Sequence, residues 1–238
     1  MNSRCPGIAV ALPAYNEQES LPRTVPRFVR ALRNVTDDFE VVIVNDGSSD
    51  RTAEVVNDLS REYPEVRLVQ HPVNLGYGAA VWTGITSGQK EFVFFTDADG
   101  QFDVEQLSRF LPFTGEYDLI VGYRAPRRDP PMRLVNAFGW KMFVTLMFGY
   151  VARDIDCAFK LFRRDILDVV YVESRGAAFS AEFLVKARDR GYRIKELPVT
   201  HLPREAGKAT GNRPDVVLRA FREMTAFWFK SRVLRREG

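Results

Sequence analysis

The chain has 238 residues, 45% hydrophobic and 27% charged, with a net charge of +3. It can bury the core of one sizeable α/β domain or two small ones, and its global charge does not mark a nucleic-acid binder. Cys5 and Cys157 form no Cys-x-x-Cys pair and fit a reducing compartment better than a disulfide scaffold. Neither a signal peptide nor a membrane-spanning helix is expected, because the most apolar stretch, residues 142–152, falls well short of the ~20 apolar residues a span requires.

The first half alternates strand and helix signals. Residues 7–12 read as a strand and 19–32 as a helix, followed by a strand at 40–44 and a helix at 52–63. A strand at 66–70 leads to a helix at 78–87, a strand at 91–96 to a helix at 104–111, and 118–122 read as a fifth strand. Such alternation predicts a mainly parallel sheet flanked by helices, with ligands bound beyond the carboxyl ends of the strands. Beyond residue 125 the pattern changes. Residues 124–133 are rich in Arg and Pro and read as a mobile loop, and 134–152 as a helix apolar on nearly all sides. Residues 154–162 form a turn into a short strand, 179–190 a helix and 193–199 a strand. A polar loop at 205–214 precedes an amphipathic helix at 215–235.

Polar loops follow each of the first four strands: Pro13-Ala14-Tyr15-Asn16-Glu17, Asn45-Asp46-Gly47-Ser48-Ser49-Asp50, Asn74-Leu75-Gly76-Tyr77-Gly78-Ala79 and Asp97-Ala98-Asp99-Gly100-Gln101. The fourth closes the apolar run Phe92-Val93-Phe94-Phe95 and is the most informative. Side chains alternate along a strand, so Asp97 and Asp99 point the same way and repel each other unless a cation lies between them. An all-oxygen pair suits Mg²⁺ or Mn²⁺, which take further ligands from substrate phosphates. The plainer alternative is turn chemistry, with Asp capping the next helix.

These four loops, in this order, resemble the family 2 glycosyltransferases, inverting enzymes of the GT-A fold. The similarity continues through Val121-Gly122-Tyr123-Arg124, Asp156-Cys157-Ala158-Phe159-Lys160 and His201-Leu202-Pro203-Arg204, and spans residues 8 to about 210. The branch it is most similar to makes dolichyl- or polyprenyl-phosphate hexoses. The resemblance implies that Pro13, Tyr15, Glu17 and Asp46 hold the nucleoside, Tyr15 through its ring and a carboxylate through base N–H or ribose hydroxyls. Packing is the alternative for Tyr15 and an Asx-turn cap for Asp46. Gly76 and Gly78 would allow close backbone approach or positive φ. Asp99 and Gln101 would touch the metal, Asp97 the metal or the ribose, and Ala98 lies between them in the donor site. Two features depart from the family pattern: Gly100 replaces a residue that is often apolar, and the C-terminal spanning helices of many members have no counterpart here.

A departing nucleoside diphosphate gains negative charge, which a divalent ion and preorganised cations stabilise. Arg124, Arg204 and Lys208 are the candidate cations. A phosphomonoester acceptor is largely dianionic at neutral pH and can attack without a base. A hydroxyl acceptor would need one, and Asp156 is the candidate, unless it orients Lys160 or Arg163 or caps its turn. His71 and His201 are not spaced as a metal pair.

Two segments are candidates for contact with a membrane. Residues 134–152 carry Phe138, Trp140, Met142, Phe143, Leu146, Met147, Phe148 and Tyr150, and a core helix is the alternative. The terminal segment carries Val217, Phe221, Met224, Phe227 and Trp228 at helical spacing, with seven Lys/Arg against three acids from Arg213 onward. It reads as an interfacial helix, as a helix packed on its own domain, or as a docking element for a membrane-embedded partner.

The expectation is one GT-A domain over 1–238. Residues 1–124 form the nucleotide-sugar half, 125–214 the acceptor half and 215–238 the basic helix. Its expected activity is Mg²⁺- or Mn²⁺-dependent transfer of a hexose from a GDP- or UDP-sugar to a polyprenyl phosphate, at the cytoplasmic face of a membrane to which the protein binds peripherally. The alternatives are a saccharide or other hydroxyl acceptor, or a non-catalytic nucleotide-binding partner.

Overall fold

Ile8–Ala14 (β1) is buried on both sides, which is why it reads as a continuous apolar run rather than an alternating one. It pairs in parallel with Phe39–Asp46 (β2) and with Phe92–Phe95 (β4). Val66–His71 (β3) extends the sheet beyond β2. The computed structural model describes residues 6–126, 131–203 and 214–234, with the side chains of 131–133 and 232–234 outside that description. Lys160–Arg163 (β6) runs antiparallel between β4 and Leu119–Arg124 (β5), and Ile194–Val199 (β7) pairs in parallel with β5. The seven strands lie in the order β3-β2-β1-β4-β6-β5-β7.

The alternation of strand side chains sorts the core into two layers. Ile8, Val10, Leu12 and Phe94 face Leu21–Arg33 (α1) and Thr52–Glu62 (α2). Ala11, Val93 and Phe95 share the other core with Tyr77–Ser87 (α3), Pro131–Phe148 (α4), Phe179–Asp189 (α5) and Pro214–Leu234 (α6).

The expected elements are present, with three differences that matter. β1 and β2 run two residues further than expected and carry Pro13, Ala14, Asn45 and Asp46 inside the ladder. The expected helix at 104–111 is two short 3₁₀ turns, Val104–Arg109 and Leu111–Phe113. The expected loop at 124–133 gives way at both ends, to β5 through Arg124 and to α4 from Pro131, and its residues 127–130 lie outside the described set. The loop at 205–214 lies there too, except Pro214, which opens α6.

α6 lays its apolar face on the domain. Met224 is fully buried, Phe221 packs on Trp140 and Phe143 with centroids 5.3 and 4.6 Å away, and Phe227 stacks on Phe148 at 5.1 Å. Trp228 Nε1 donates to the Met147 carbonyl at 3.0 Å. Of the readings open for this helix, the packed one describes these residues. α4 is divided lengthwise. Trp140 and Val144 point into the core, whereas Val135, Phe138 and Leu146 are 64%, 67% and 80% exposed.

One buried acid fixes the loop before α5. Glu182 accepts from the backbone N–H groups of Glu173 and Ser174, each at 2.9 Å, from Ser174 Oγ at 2.6 Å and from Lys186 Nζ at 2.6 Å. Glu182→Ala strands these donors and should lower stability by about 3 kcal/mol. Urea denaturation measures it, and an unchanged midpoint would show that the loop is held by its other contacts.

Candidate active site

The carboxyl ends of β2, β1 and β4 lie side by side, because β1 sits between the other two. The first two loops are stapled into one unit. Asn16 N–H donates to Ser48 Oγ at 2.9 Å, Ser49 N–H to Asn16 Oδ1 at 2.9 Å, and Glu17 N–H to Thr52 Oγ1 at 2.9 Å. Asn16 takes a φ of +56°, a conformation its side chain tolerates better than most. Tyr15 remains exposed beside it, while Glu17 is buried and accepts from Ser20 Oγ at 2.6 Å. Pro13, half-buried, is part of β1 just below.

Asp46, buried at the end of β2, is engaged by the protein. Its Oδ1 lies 2.7 Å from His71 Nδ1 and accepts from Leu75 N–H at 2.9 Å, and its Oδ2 accepts from Gly76 N–H at 3.0 Å. This is a capping role, exerted on a loop about 30 residues away rather than on its own turn. His71 is in turn held through Nε2, 3.0 Å from Thr83 Oγ1. Gly76 has a φ of +102°, and a Cβ there would lie 2.6 Å from the Arg175 carbonyl oxygen. At Gly78 a Cβ would lie 2.7 Å from the carbonyls of Ser174 and Gly176. Both glycines are required by backbone meeting backbone.

Asp97 and Asp99 follow the end of β4, Asp99 in the turn beyond it. Tyr77 Oη donates to Asp97 Oδ1 at 3.0 Å, and Gln101 N–H to Asp99 Oδ1 at 3.0 Å. Burial, and then the charge of Asp99, pushes Asp97 up to about 7, and burial with the charge of Asp97 pushes the Tyr77 hydroxyl well above its usual range, keeping it a donor. Ala98 is buried between the two acids. Gly100 adopts a φ of +73° in this turn, a conformation that glycine takes without steric cost. Gln101 Nε2 donates to the Leu202 carbonyl at 3.2 Å and Leu202 N–H returns a bond to Gln101 O at 2.8 Å, so Gln101 fastens the 201–203 segment to the acidic loop. His201 is buried against the Phe102 ring.

Among the described residues, no third His, Cys, Asp or Glu joins a metal-binding group. A buried, raised carboxyl at Asp97 beside the second acid Asp99 fits an ion that takes its other ligands from phosphate oxygens and water, as Mg²⁺ and Mn²⁺ do.

On the other side of β4, Arg124 ends β5 and forms a buried two-pronged pair with Asp154, Nε to Oδ2 at 2.7 Å and one terminal nitrogen to Oδ1 at 2.8 Å. Asp156 accepts from Trp140 Nε1 at 3.0 Å, and burial, then the charge of Asp154, raises it. Lys160 is fully buried. Its Nζ donates to the carbonyls of Ile155 and Cys157 and lies 5.1 Å from the Phe95 ring centroid. The charges of Lys160 and Arg124 hold Asp97 and Asp156 lower than burial alone would. Arg204 and Lys208 lie outside the described residues. His71, Tyr77, Asp154 and Trp140 contact candidate site residues, a role the sequence reading did not give them. Tyr77 and Asp154 sit within or beside quoted motifs, whereas His71 and Trp140 carry no local signal.

The model of the family described as glycosyl transferase family 2 matches residues 9–170. The chain belongs to this family. It is 34% identical over 208 residues to a dolichyl-phosphate beta-glucosyltransferase of Trichomonas vaginalis, covering 81% of the chain and 64% of that protein. It is 30% identical over 216 residues to the undecaprenyl-phosphate mannosyltransferase of Micrococcus luteus, covering 85% of the chain and 86% of that protein. The chain thus spans somewhat under two thirds of the length of several relatives. Glucosyl-3-phosphoglycerate synthase of Mycobacterium tuberculosis, solved with Mg²⁺ and UDP, superposes with a TM-score of 0.72 over 93% of the chain and 79% of its own, at 16% identity. This likeness shows the GT-A fold.

The Asp97 shift has a sign. A folded carboxyl at about 7 holds its proton where an unfolded one, at about 3.8, has lost it, so metal-free protein loses stability as pH rises between those values. Asp97→Asn lacks this loss. Between pH 5 and pH 8 in EDTA, wild-type urea midpoints should fall relative to those of Asp97→Asn. Parallel profiles would show that Asp97 is not desolvated.

Proposed function

We propose that this family 2 protein transfers a hexose, with inversion, from a GDP- or UDP-sugar to a polyprenyl phosphate. The observation that carries the reading is the carboxylate pair at the end of the central strand β4, with the glycine loop on one side and the Arg124–Asp154 and Asp156 cluster on the other. The names of the Trichomonas and Micrococcus relatives support the acceptor class. In this reading Pro13, Tyr15 and Glu17 line the nucleoside and Asp46 fixes the Leu75–Gly76 turn beside it. Asp97 and Asp99 hold Mg²⁺ or Mn²⁺, which neutralises the leaving diphosphate when bound. Tyr77 orients Asp97, and Gln101 keeps the 201–203 segment against the acidic loop. Arg124, fixed by Asp154, contributes positive charge on the acceptor side. The phosphate attacks as its own nucleophile, so no base is required.

One observation favours a second acceptor class. Asp156 is buried and raised, as a general base for a hydroxyl would be. The two readings separate on substrate. With a UDP- or GDP-hexose and Mn²⁺, polyprenyl phosphate should be glycosylated and the matching free polyprenol should not. Equal rates would make the hydroxyl reading correct and Asp156 its base. Asp99→Asn or EDTA should reduce turnover at least a hundredfold while the melting temperature holds. Full activity in either would remove the metal.

A lipid acceptor requires contact with a membrane surface. Among the described residues no helix is long and apolar enough to cross a membrane. The outward stripe of α4, Val135, Phe138, Met142 and Leu146, has the spacing and exposure of a face that lies on lipid. We place this contact at the cytoplasmic, reducing face, in keeping with the free thiol of Cys157. The double substitution Phe138→Asp and Leu146→Asp should abolish sedimentation with protein-free anionic liposomes without changing the melting temperature. Undiminished binding would exclude α4 as the contact.

A further inference from the structure

The glycine loop that follows β3 does not stand alone. Its helix, α3, begins against the backbone of residues 174–176, where Ala79 N–H donates to the Arg175 carbonyl at 3.2 Å and Gly76 and Gly78 meet carbonyls with no room for a side chain. Residues 174–176 are gripped from two directions. Glu182 of α5 holds Ser174 from one side. From the other, Glu223 of α6 accepts from Gly176 N–H through Oε2 at 3.3 Å, while its Oε1 accepts from Arg219 Nε at 2.8 Å. A Cβ on Gly176 would meet this pair at 3.2–3.4 Å, and one on Gly76 would lie 3.8 Å from an Arg219 terminal nitrogen. The terminal helix therefore touches both the supporting segment and the edge of the loop that Asp46 organises.

We propose that Arg219 and Glu223 of α6 are positioning residues for the nucleotide-sugar site. They hold the backbone at Gly176, on which Gly76 and Gly78 rest, and so fix the loop that is to receive the donor. The inference rests on the reading of that loop as part of the donor site. The Arg219–Glu223 pair is half exposed on the arginine side, so its loss alone costs little global stability. Its effect is local, on the registration of one loop, and it falls on donor binding rather than acceptor binding.

The test uses the full chain and isothermal titration with UDP and with GDP in the presence of Mn²⁺, beside donor and acceptor KM values and thermal melts. Glu223→Ala should weaken nucleotide binding roughly three- to tenfold, the scale of one lost hydrogen bond in a positioned loop. Donor KM should rise in step, while acceptor KM and melting temperature stay near wild type. Glu223→Gln, which still offers an acceptor oxygen to Gly176 N–H, should recover most of the affinity. Wild-type affinity in Glu223→Ala overturns the inference and leaves the donor-site reading intact. Parallel losses in acceptor KM and melting temperature also overturn it, because they mark a general packing role. If the wild-type chain binds neither nucleotide, the donor-site reading falls and the inference falls with it.

Discussion

Two carboxylates at the mouth of a buried strand repel each other, and much of the surrounding architecture answers that repulsion. β4 is covered on both faces, so Asp97 emerges from an apolar environment that disfavours its charge. Tyr77 donates to it from α3, and the charges of Lys160 on β6 and Arg124 on β5 act on it as well. Asp99 is steadied by a backbone donor in its own turn. These compensations are partial, since Asp97 remains raised to about 7. A site that is only partly neutralised by its own protein is suited to capture a cation together with a substrate that brings further oxygen ligands.

The same device, a buried acid gathering backbone donors, recurs away from β4. Asp46 fastens the Leu75–Gly76 turn, Glu182 fastens residues 173–174, and Asp154 fastens Arg124 through both its side chain and its N–H at 3.2 Å. Each acid ties one element to a segment distant in sequence or turns a loop into a fixed surface. Loops at the ends of a parallel sheet have no ladder of their own, so their backbone groups need partners of this kind.

Much of the first half of the chain was legible in the sequence because its signals are local. Apolar runs that stop at Asn, Asp, Gly or Pro give the strands, and their ends give the four loops. The partners of the loop acids were not legible. His71 on Asp46 and Asp154 on Arg124 depend on strand order, which periodicity does not contain. The role of Gln101 in holding residues 201–203 depends on a bridge between Phe102 and His201. Helices α4 and α6 show a different limit. Both carry aromatic residues on several faces, and composition does not say which face is covered. The ring contacts of Phe221 and Phe227 bury one face of α6, while Leu218 and Phe229 of α6 and a stripe of α4 stay exposed.

Charge pairing bears on how an acceptor phosphate would be held. Arg124 was singled out as a cation for the phosphate, yet its two-pronged bond to Asp154 makes the pair neutral as a unit. A neutral pair attracts a dianion less than an isolated guanidinium does, although it fixes the direction in which the remaining positive potential points. Lys160 is likewise tied, by carbonyls of its own turn, and is too deeply buried to meet a ligand. Both act on the site through fields and geometry. Under the proposed function, direct neutralisation of an incoming phosphate would fall to other cations, of which the sequence supplies Arg204 and Lys208. The fixed charges on the sheet act instead on the carboxyls of Asp97 and Asp156.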